Sequence, residues 1–274
     1  MAALRAAGIA DAGIDVRRLM AAALALPEAD LLARPQAELP PERARIFAGY
    51  IERRCAREPV SRILGAREFY GRSFAVSAAT LDPRPDSETL IEASLKIVGL
   101  ESWSTLPLRI LDIGTGTGCL LLTLLSELPQ ATGLGTDVSG MALEVARANA
   151  AALGLEQRVA WQETDLLENI TGHFHIVVSN PPYVSTAEIA TLEPEVSRFD
   201  PRLALDGGRD GLEIFRRLST RLFTVVPNGW IVLEVGYDQA DRAAEMFAPG
   251  GVAQVRFFRD VSGRRRCVAV RTRN

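Results

Sequence analysis

The chain has 274 residues, 47% of them hydrophobic, enough for one large core or for a core with a smaller satellite domain. Its net charge of -3 and pI of about 5.6 argue against a protein that lives on phosphate contacts, which needs a basic surplus. Three scattered cysteines without a C-x-x-C pair, a start without the pattern of a signal peptide, and no apolar run of roughly 20 residues together predict a soluble cytoplasmic chain.

Residues 1–75 read as a helical domain, because "DVRRLMAAALAL" and "PERARIFAGYIERRCARE" space their apolar residues three and four apart with arginines between. "REFYGRSFAVS" then turns aromatic and β-branched around Gly71, which predicts a hairpin linker over about 67–79. From residue 80 to 274 strands and helices alternate. "LRILDIG" is a buried parallel-strand run, followed by glycines and the helical "CLLLTLLSEL". "ATGLGTDVS" and "MALEVARANAAALG" give a second strand and helix, and "RVAWQETDLL" and "FHIVVSN" two further strands. "GLEIFRRLSTRLFTVV" reads as one helix, "GWIVLEVG" as a fifth strand, and the tail as an antiparallel hairpin around Ser262-Gly263. The fold class expected is α/β, an open sheet of about seven strands behind a small helical domain.

Chemistry concentrates where strands end. In "LDIGTGTG", residues 111–118, a strand runs into Gly114, Thr115, Gly116, Thr117 and Gly118, a turn whose backbone N–H groups can approach a ligand closely at a helix N-terminus. A dinucleotide enzyme would set pyrophosphate there. Asp112, two residues before the first glycine, sits badly beside a diphosphate and well beside an ammonium group, which favours S-adenosylmethionine. Asp137 ends the second strand, where it can accept both hydroxyls of a ribose or else cap the next helix, a task Ser139 could also fill. Asp165 and Leu166 end the third strand, positioned for an adenine amino group and ring face or for a plain turn. Asn180-Pro181-Pro182-Tyr183 ends the fourth. The prolines stop the ladder, the Asn180 side-chain carbonyl and the Pro181 backbone carbonyl offer two rigid acceptors for a planar –NH₂ group, and Tyr183 can stack on that plane.

The glycine motif, Asp137 and the N-P-P-Y box resemble class I amino-methyltransferases, including adenine-N6 enzymes. Four further stretches narrow the likeness: "EPVSRILGAREFYG", "TLDPRPDSETLIE", "DPRLALDGGRDGLEIFRRL" and "RDVSGRRRCVAVR" resemble the HemK-type, PrmC family of protein-(glutamine-N5) methyltransferases. Asp82 departs from the aliphatic residue more usual there. The resemblance implies a class I (Rossmann-like) seven-stranded domain and S-adenosylmethionine as methyl donor. It also implies a helical domain that docks protein substrate, with the glutamine of a Gly-Gly-Gln loop in class I peptide chain release factors as target. Residues 114–118, Asp137, Leu166 and Asn180 would then contact the cofactor, and residues 180–183 would hold the glutamine, with Asn180, Pro181 and Tyr183 carrying the catalysis. The "PRPD" turn, residues 83–86, either borders the site or only connects domains.

His173 and His175 flank Phe174 at a strand entry, which strand alternation explains without a metal. Arg264, Arg265 and Arg266 read as a solvated hairpin face. Three rivals remain: methylation of a ribosomal-protein glutamine, adenine-N6 methylation of nucleic acid, and a non-catalytic cofactor-binding adaptor, whose motifs would be degraded.

Overall fold

The computed structural model describes residues 1–33 and 39–273; residues 34–38 of the expected helical region and Asn274 lie outside it. In chain order come α1 (Ala2–Ala6), α2 (Ala12–Leu24), α3 (Glu28–Ala33), α4 (Pro41–Cys55) and α5 (Val60–Leu64), then the hairpin β1 (Ala66–Phe69) and β2 (Arg72–Ala75). The alternating region holds α6 (Glu88–Leu100), β3 (Arg109–Ile113), α7 (Cys119–Glu127), β4 (Thr132–Asp137), α8 (Gly140–Ala152), β5 (Val159–Glu163) and β6 (Ile176–Ser179). It closes with α9 (Pro194–Ser197), α10 (Glu213–Ser219), α11 (Leu222–Val225), β7 (Trp230–Glu234), α12 (Ala240–Phe247), β8 (Val252–Arg259) and β9 (Arg265–Thr272). Among the described residues, no helix is long and apolar enough to cross a membrane.

Two compact units divide the chain. One joins Met1–Ala66 with Leu192–Phe199; the other holds Arg67–Thr191 and Asp200–Asn274. The second is built on a seven-stranded sheet of order β5-β4-β3-β6-β7-β9-β8, parallel from β5 to β7 and antiparallel at β9 and β8. The central strands are buried on both faces, as their unbroken apolar runs require. Ile176, Val178, Trp230 and Val232 pack with α6 and α7, whereas Val177, Ile231 and Leu233 pack with α10, α11 and α12. "GLEIFRRLSTRLFTVV", expected as one helix, is broken between α10 and α11. The hydroxyls of Ser219 and Thr220 donate to the Arg216 and Arg217 carbonyls at 2.9 and 2.8 Å, competing for acceptors that a continued helix would use.

The first unit captures its distant segment through ions. Arg54, only 7% exposed, donates to Asp15 at 2.7 Å and to Glu195 at 2.9 Å; Arg57 donates to Glu195 at 2.6 Å and Glu193 at 3.0 Å. Burial alone would raise the Glu195 carboxyl, but the hydrogen bonds from Arg57 and Arg54 outweigh it and hold the group at about 2. Its contribution is therefore complete above the ordinary value of 4.5 and is lost as pH falls toward 2. Glu195→Ala should weaken the hold on Leu192–Phe199 by about 2 kcal/mol, the scale of a lost charged hydrogen bond. Trypsin cleavage after the exposed Arg198 should then run roughly tenfold faster or more. A cleavage rate equal to that of the parent chain would show that these ion pairs do not retain the segment.

Candidate active site

Strand order reverses between β3 and β6: β4 and β5 lie to one side and β7 to the other. Such a switch point opens a crevice at the carboxyl ends of the strands. β3 delivers Asp112 to it, 0% exposed. Asp112 Oδ2 accepts from the Thr115 hydroxyl at 2.7 Å, while Oδ1 has no partner. Burial pushes this carboxyl up to about 7, and the Thr115 bond opposes the shift.

The glycine turn follows at positive φ: 70° at Gly114, 56° at Gly116 and 79° at Gly118. A Cβ on Gly114 or Gly116 would meet nothing within 4 Å, so the turn shows bare backbone to open space. At Gly118 it would press on Leu122, Trp161 and Ala146, a packing demand beside the conformational one. Thr115 and Thr117 are buried, and Thr115 N–H donates to Thr136 O at 2.8 Å. Sequence reasoning missed Asn149. Its buried amide donates to Thr117 O at 2.8 Å and exchanges two hydrogen bonds with the Ala75 backbone, pinning the turn to β2.

Asp137 holds the same turn from β4. Its Oδ2 accepts from Gly116 N–H at 2.9 Å and Oδ1 from Ser139 N–H at 3.0 Å. Ser139, not Asp137, caps α8, its Oγ accepting from Ala142 N–H at 3.2 Å. Each Asp137 oxygen keeps a further lone pair. Burial raises this carboxyl too, against its backbone hydrogen bonds. Asp165 behaves differently: its half-exposed carboxylate pairs with Arg217 of α10 at 2.7 Å, a partner outside the glycine turn. Leu166 adopts φ 51° and packs against the core on the α10 face.

The N-P-P-Y box begins where β6 ends. Ser179 Oγ donates to Ile113 O at 2.6 Å, tying β6 to β3 just before Asn180. Asn180 Nδ2 donates to Ser87 Oγ at 3.1 Å, and Oδ1 meets no donor among the described residues. Pro181 is buried and Pro182 half-buried. Tyr183 donates its phenol to Glu234 Oε1 at 3.1 Å, its carbonyl accepts from Gln239 Nε2 at 2.9 Å, and burial raises its pKa. "DGGRDG" now has a reason: a Cβ on Gly207 would lie 2.8 Å from Pro182 O, and one on Gly211 2.3 Å from Tyr183 O. Those glycines let the chain back directly onto the box.

The "PRPD" turn reaches the box through its neighbour Ser87, while Arg84 pairs with Asp200 and Asp86 with Arg266 at 2.9 Å. Arg266 corrects one expectation. Its side chain is only 11% exposed, because β9 turns it inward between Asp86 and Asp260; Arg264 and Arg265 stay outside, over Tyr237 and Phe257. Asp82 is 3% exposed, 4.0 Å from Arg67, with Oδ1 unpartnered. His175 is engaged in the frame, its Nδ1 accepting from Arg109 N–H at 2.9 Å. Sequence reasoning also missed Glu234, 1% exposed at the end of β7. The signal was present: like Asp112 in "LRILDIG", it is an acid closing an apolar run, "WIVLEVG".

The family model described as PrmC N-terminal domain matches residues 1–65, and the one described as methyltransferase small domain matches residues 100–194. The release factor glutamine methyltransferase of Rhodospirillum rubrum is 44% identical, over 98% of this chain and 82% of its own. That of Agrobacterium fabrum is 41% identical, over 98% and 93%. Among solved structures, the N-terminal domain of human METTL16 in complex with SAH shares the fold at a TM-score of 0.53 and 20% identity, covering 85% of this chain and 83% of that one.

Asp112 gives the site a stability cost that can be measured. A carboxyl whose folded pKa is about 7 against an ordinary 3.8 stabilises the protonated fold, and that stability drains away as pH rises between those values. Asp112→Asn should therefore melt higher than the parent chain at about pH 8 and lose less stability over that window, as read by thermal unfolding across pH. A variant melting no higher at that pH would show that the buried carboxyl is not charged there.

Proposed function

The chain belongs to the release factor glutamine methyltransferase family, and from that membership we propose that it methylates the side-chain amide nitrogen of the Gly-Gly-Gln glutamine in class I release factors, with S-adenosylmethionine as donor. The observation that carries this reading is Asn180, an amide with its –NH₂ end engaged and its oxygen end unengaged, one strand away from the buried carboxyl of Asp112. The residues fit the donor. An unpartnered oxygen on Asp112 suits an ammonium group, open space over Gly114 and Gly116 suits close backbone approach, and the spare lone pairs of Asp137 suit ribose hydroxyls. Leu166 can cover the adenine ring; for Asp165 to meet the adenine amino group, it must share its carboxylate with Arg217.

S-adenosylmethionine supplies a methyl group on a sulfonium, which the amide nitrogen takes with its lone pair while sulfur keeps the bonding electrons. The chain's part is positional. Asn180 Oδ1 and Pro181 O accept the two amide N–H groups, aim the lone pair at the methyl, and favour the positive charge growing on nitrogen. Tyr183 covers the amide plane, with its phenol fixed on Glu234. The surplus proton leaves to water, so no general base is required. In-line alignment supplies several kcal/mol of the barrier. The helical unit docks the protein substrate. Methylation of a ribosomal protein uses the same chemistry; adenine-N6 methylation also demands phosphate contacts that an acidic chain serves poorly.

Two measurements test this. Labelled donor offered side by side to release factor, ribosomal protein and DNA should label release factor, and Asn180→Ala should depress that rate roughly 10²–10³-fold. Normal turnover by Asn180→Ala would sink the role given to the box. For the cofactor half, Asp137→Ala should weaken binding of S-adenosylmethionine by roughly 1–3 kcal/mol in calorimetry, and unchanged affinity in the folded variant removes the ribose assignment.

A further inference from the structure

The stretch "RDVSGRRRCVAVR" and the turn after β7 take no part in methyl transfer, yet both lie on the catalytic edge of the sheet. β9 runs antiparallel to β7 with Cys267 opposite Glu234, so the turn between β8 and β9 emerges where β7 ends. β7 lies beside β6, the strand that ends at Asn180. The hairpin turn is therefore two strand spacings from Asn180, about 10 Å along the rim.

This part of the rim keeps apolar surface in solvent. Val261, in the hairpin turn, is fully exposed, and Tyr237 is 66% exposed. Buried polar groups hold both in place. Asp260 accepts from the Ser262 and Arg264 N–H groups at 3.0 and 2.9 Å, and its other oxygen pairs with Arg266 at 3.2 Å. Arg266 also pairs with Asp86, which fastens the hairpin turn to the "PRPD" turn. Gln239 closes the turn that carries Tyr237: its Oε1 accepts from Gly236 N–H at 3.0 Å, and its backbone N–H donates to Gly236 O at 3.0 Å. From Nε2 it donates to Tyr183 O at 2.9 Å, tying this turn to the N-P-P-Y box. The Arg264 guanidinium lies over the Tyr237 ring, 5.7 Å from its centroid, and joins the two turns.

Tyrosine and arginine concentrate in protein–protein contacts, and turns already fixed in place cost little ordering on binding. The box takes a glutamine side chain, so the polypeptide that carries it must cross the rim within one side-chain length. About three residues of extended chain then reach from Asn180 to the hairpin turn. We infer that Tyr237, Val261 and Arg264 form a docking platform for the release-factor segment that flanks the target glutamine. The apolar side chains bury against that segment, and the Arg264 guanidinium donates to its backbone carbonyls. The platform rests on the methylation reading above and gives the catalytic unit its own share in selecting the substrate.

The test uses the full chain, labelled S-adenosylmethionine and release factor. Tyr237→Ala and Val261→Asp should each raise KM for release factor about 5–30-fold, with kcat and donor affinity within about threefold of the parent chain. Both side chains are exposed, so both variants should melt with the parent chain. Leu106→Asp changes an exposed apolar residue in the loop before β3, at the opposite edge of the sheet, and should leave KM unchanged. A parent-like KM in both rim variants, an equal rise in Leu106→Asp, or a loss confined to kcat or donor affinity would each overturn the platform while methylation stands. A parent chain that self-associates in sedimentation, and ceases to do so with Val261→Asp, would give this surface to a second copy and overturn it as well. A parent chain that labels no release factor overturns the reading beneath it.

Discussion

Three neighbouring parallel strands stop at one level, and the site depends on that alignment. β3 pairs with β6 so that Asp112 lies opposite Val178 and Ile113 opposite Ser179; β6 pairs with β7 so that Ser179 lies opposite Leu233. The next residues along, Asn180 and Glu234, therefore emerge side by side with Asp112 one strand away. A parallel register leaves no choice of face, because each strand is buried on both sides and a slip of one residue would drive these polar groups into Leu and Val neighbours. The bond from Ser179 Oγ to Ile113 O fastens this register at the strand ends. The crevice follows from sheet order, and its chemistry follows from register.

Both acids in that row are held against their preference. Asp112 and Glu234 are fully buried, each with one oxygen unpartnered, and burial raises both carboxyls. Such groups destabilise a fold unless something completes them. The central core absorbs the cost: β6 and β7 contribute unbroken runs of buried residues on both faces. Sites that sacrifice stability in this way mark where selection acted on something other than folding. The Arg266 ion pairs are consistent with this pattern, since they engage Asp86 and Asp260 and leave Glu234 to the Tyr183 phenol.

The fold was largely legible because its signals are local. Apolar runs ended by Gly or Pro located β3, β6 and β7, and the glycine turn announced its own positive φ values. The split between α10 and α11 was not legible, because serine and threonine back-bonding shows only when the carbonyls they reach are known. α6 was not picked out from the sequence, although Glu92 and Lys96 stand exposed four residues apart beside its seven buried residues. Arg266 misled because three consecutive arginines look alike in sequence, while strand alternation in β9 sends Arg265 outward and Arg266 inward. Asn149, Ser87 and Glu234 belong to a different class. Each acts on a motif residue 32 to 93 positions away for Asn149 and Ser87, or on Tyr183 from another strand for Glu234, and no spacing rule reaches so far. Motifs name the residues that face the crevice; the residues that aim them are set by tertiary packing.

The choice of a neutral amide at position 180 then has a physical account. A lysine or arginine between Asp112 and Glu234 would pair with both and close the row. A third carboxylate would stand near two already raised by burial and would itself tend to protonate, giving up the acceptor proposed at this position. An amide avoids both outcomes by presenting opposite ends to opposite neighbours.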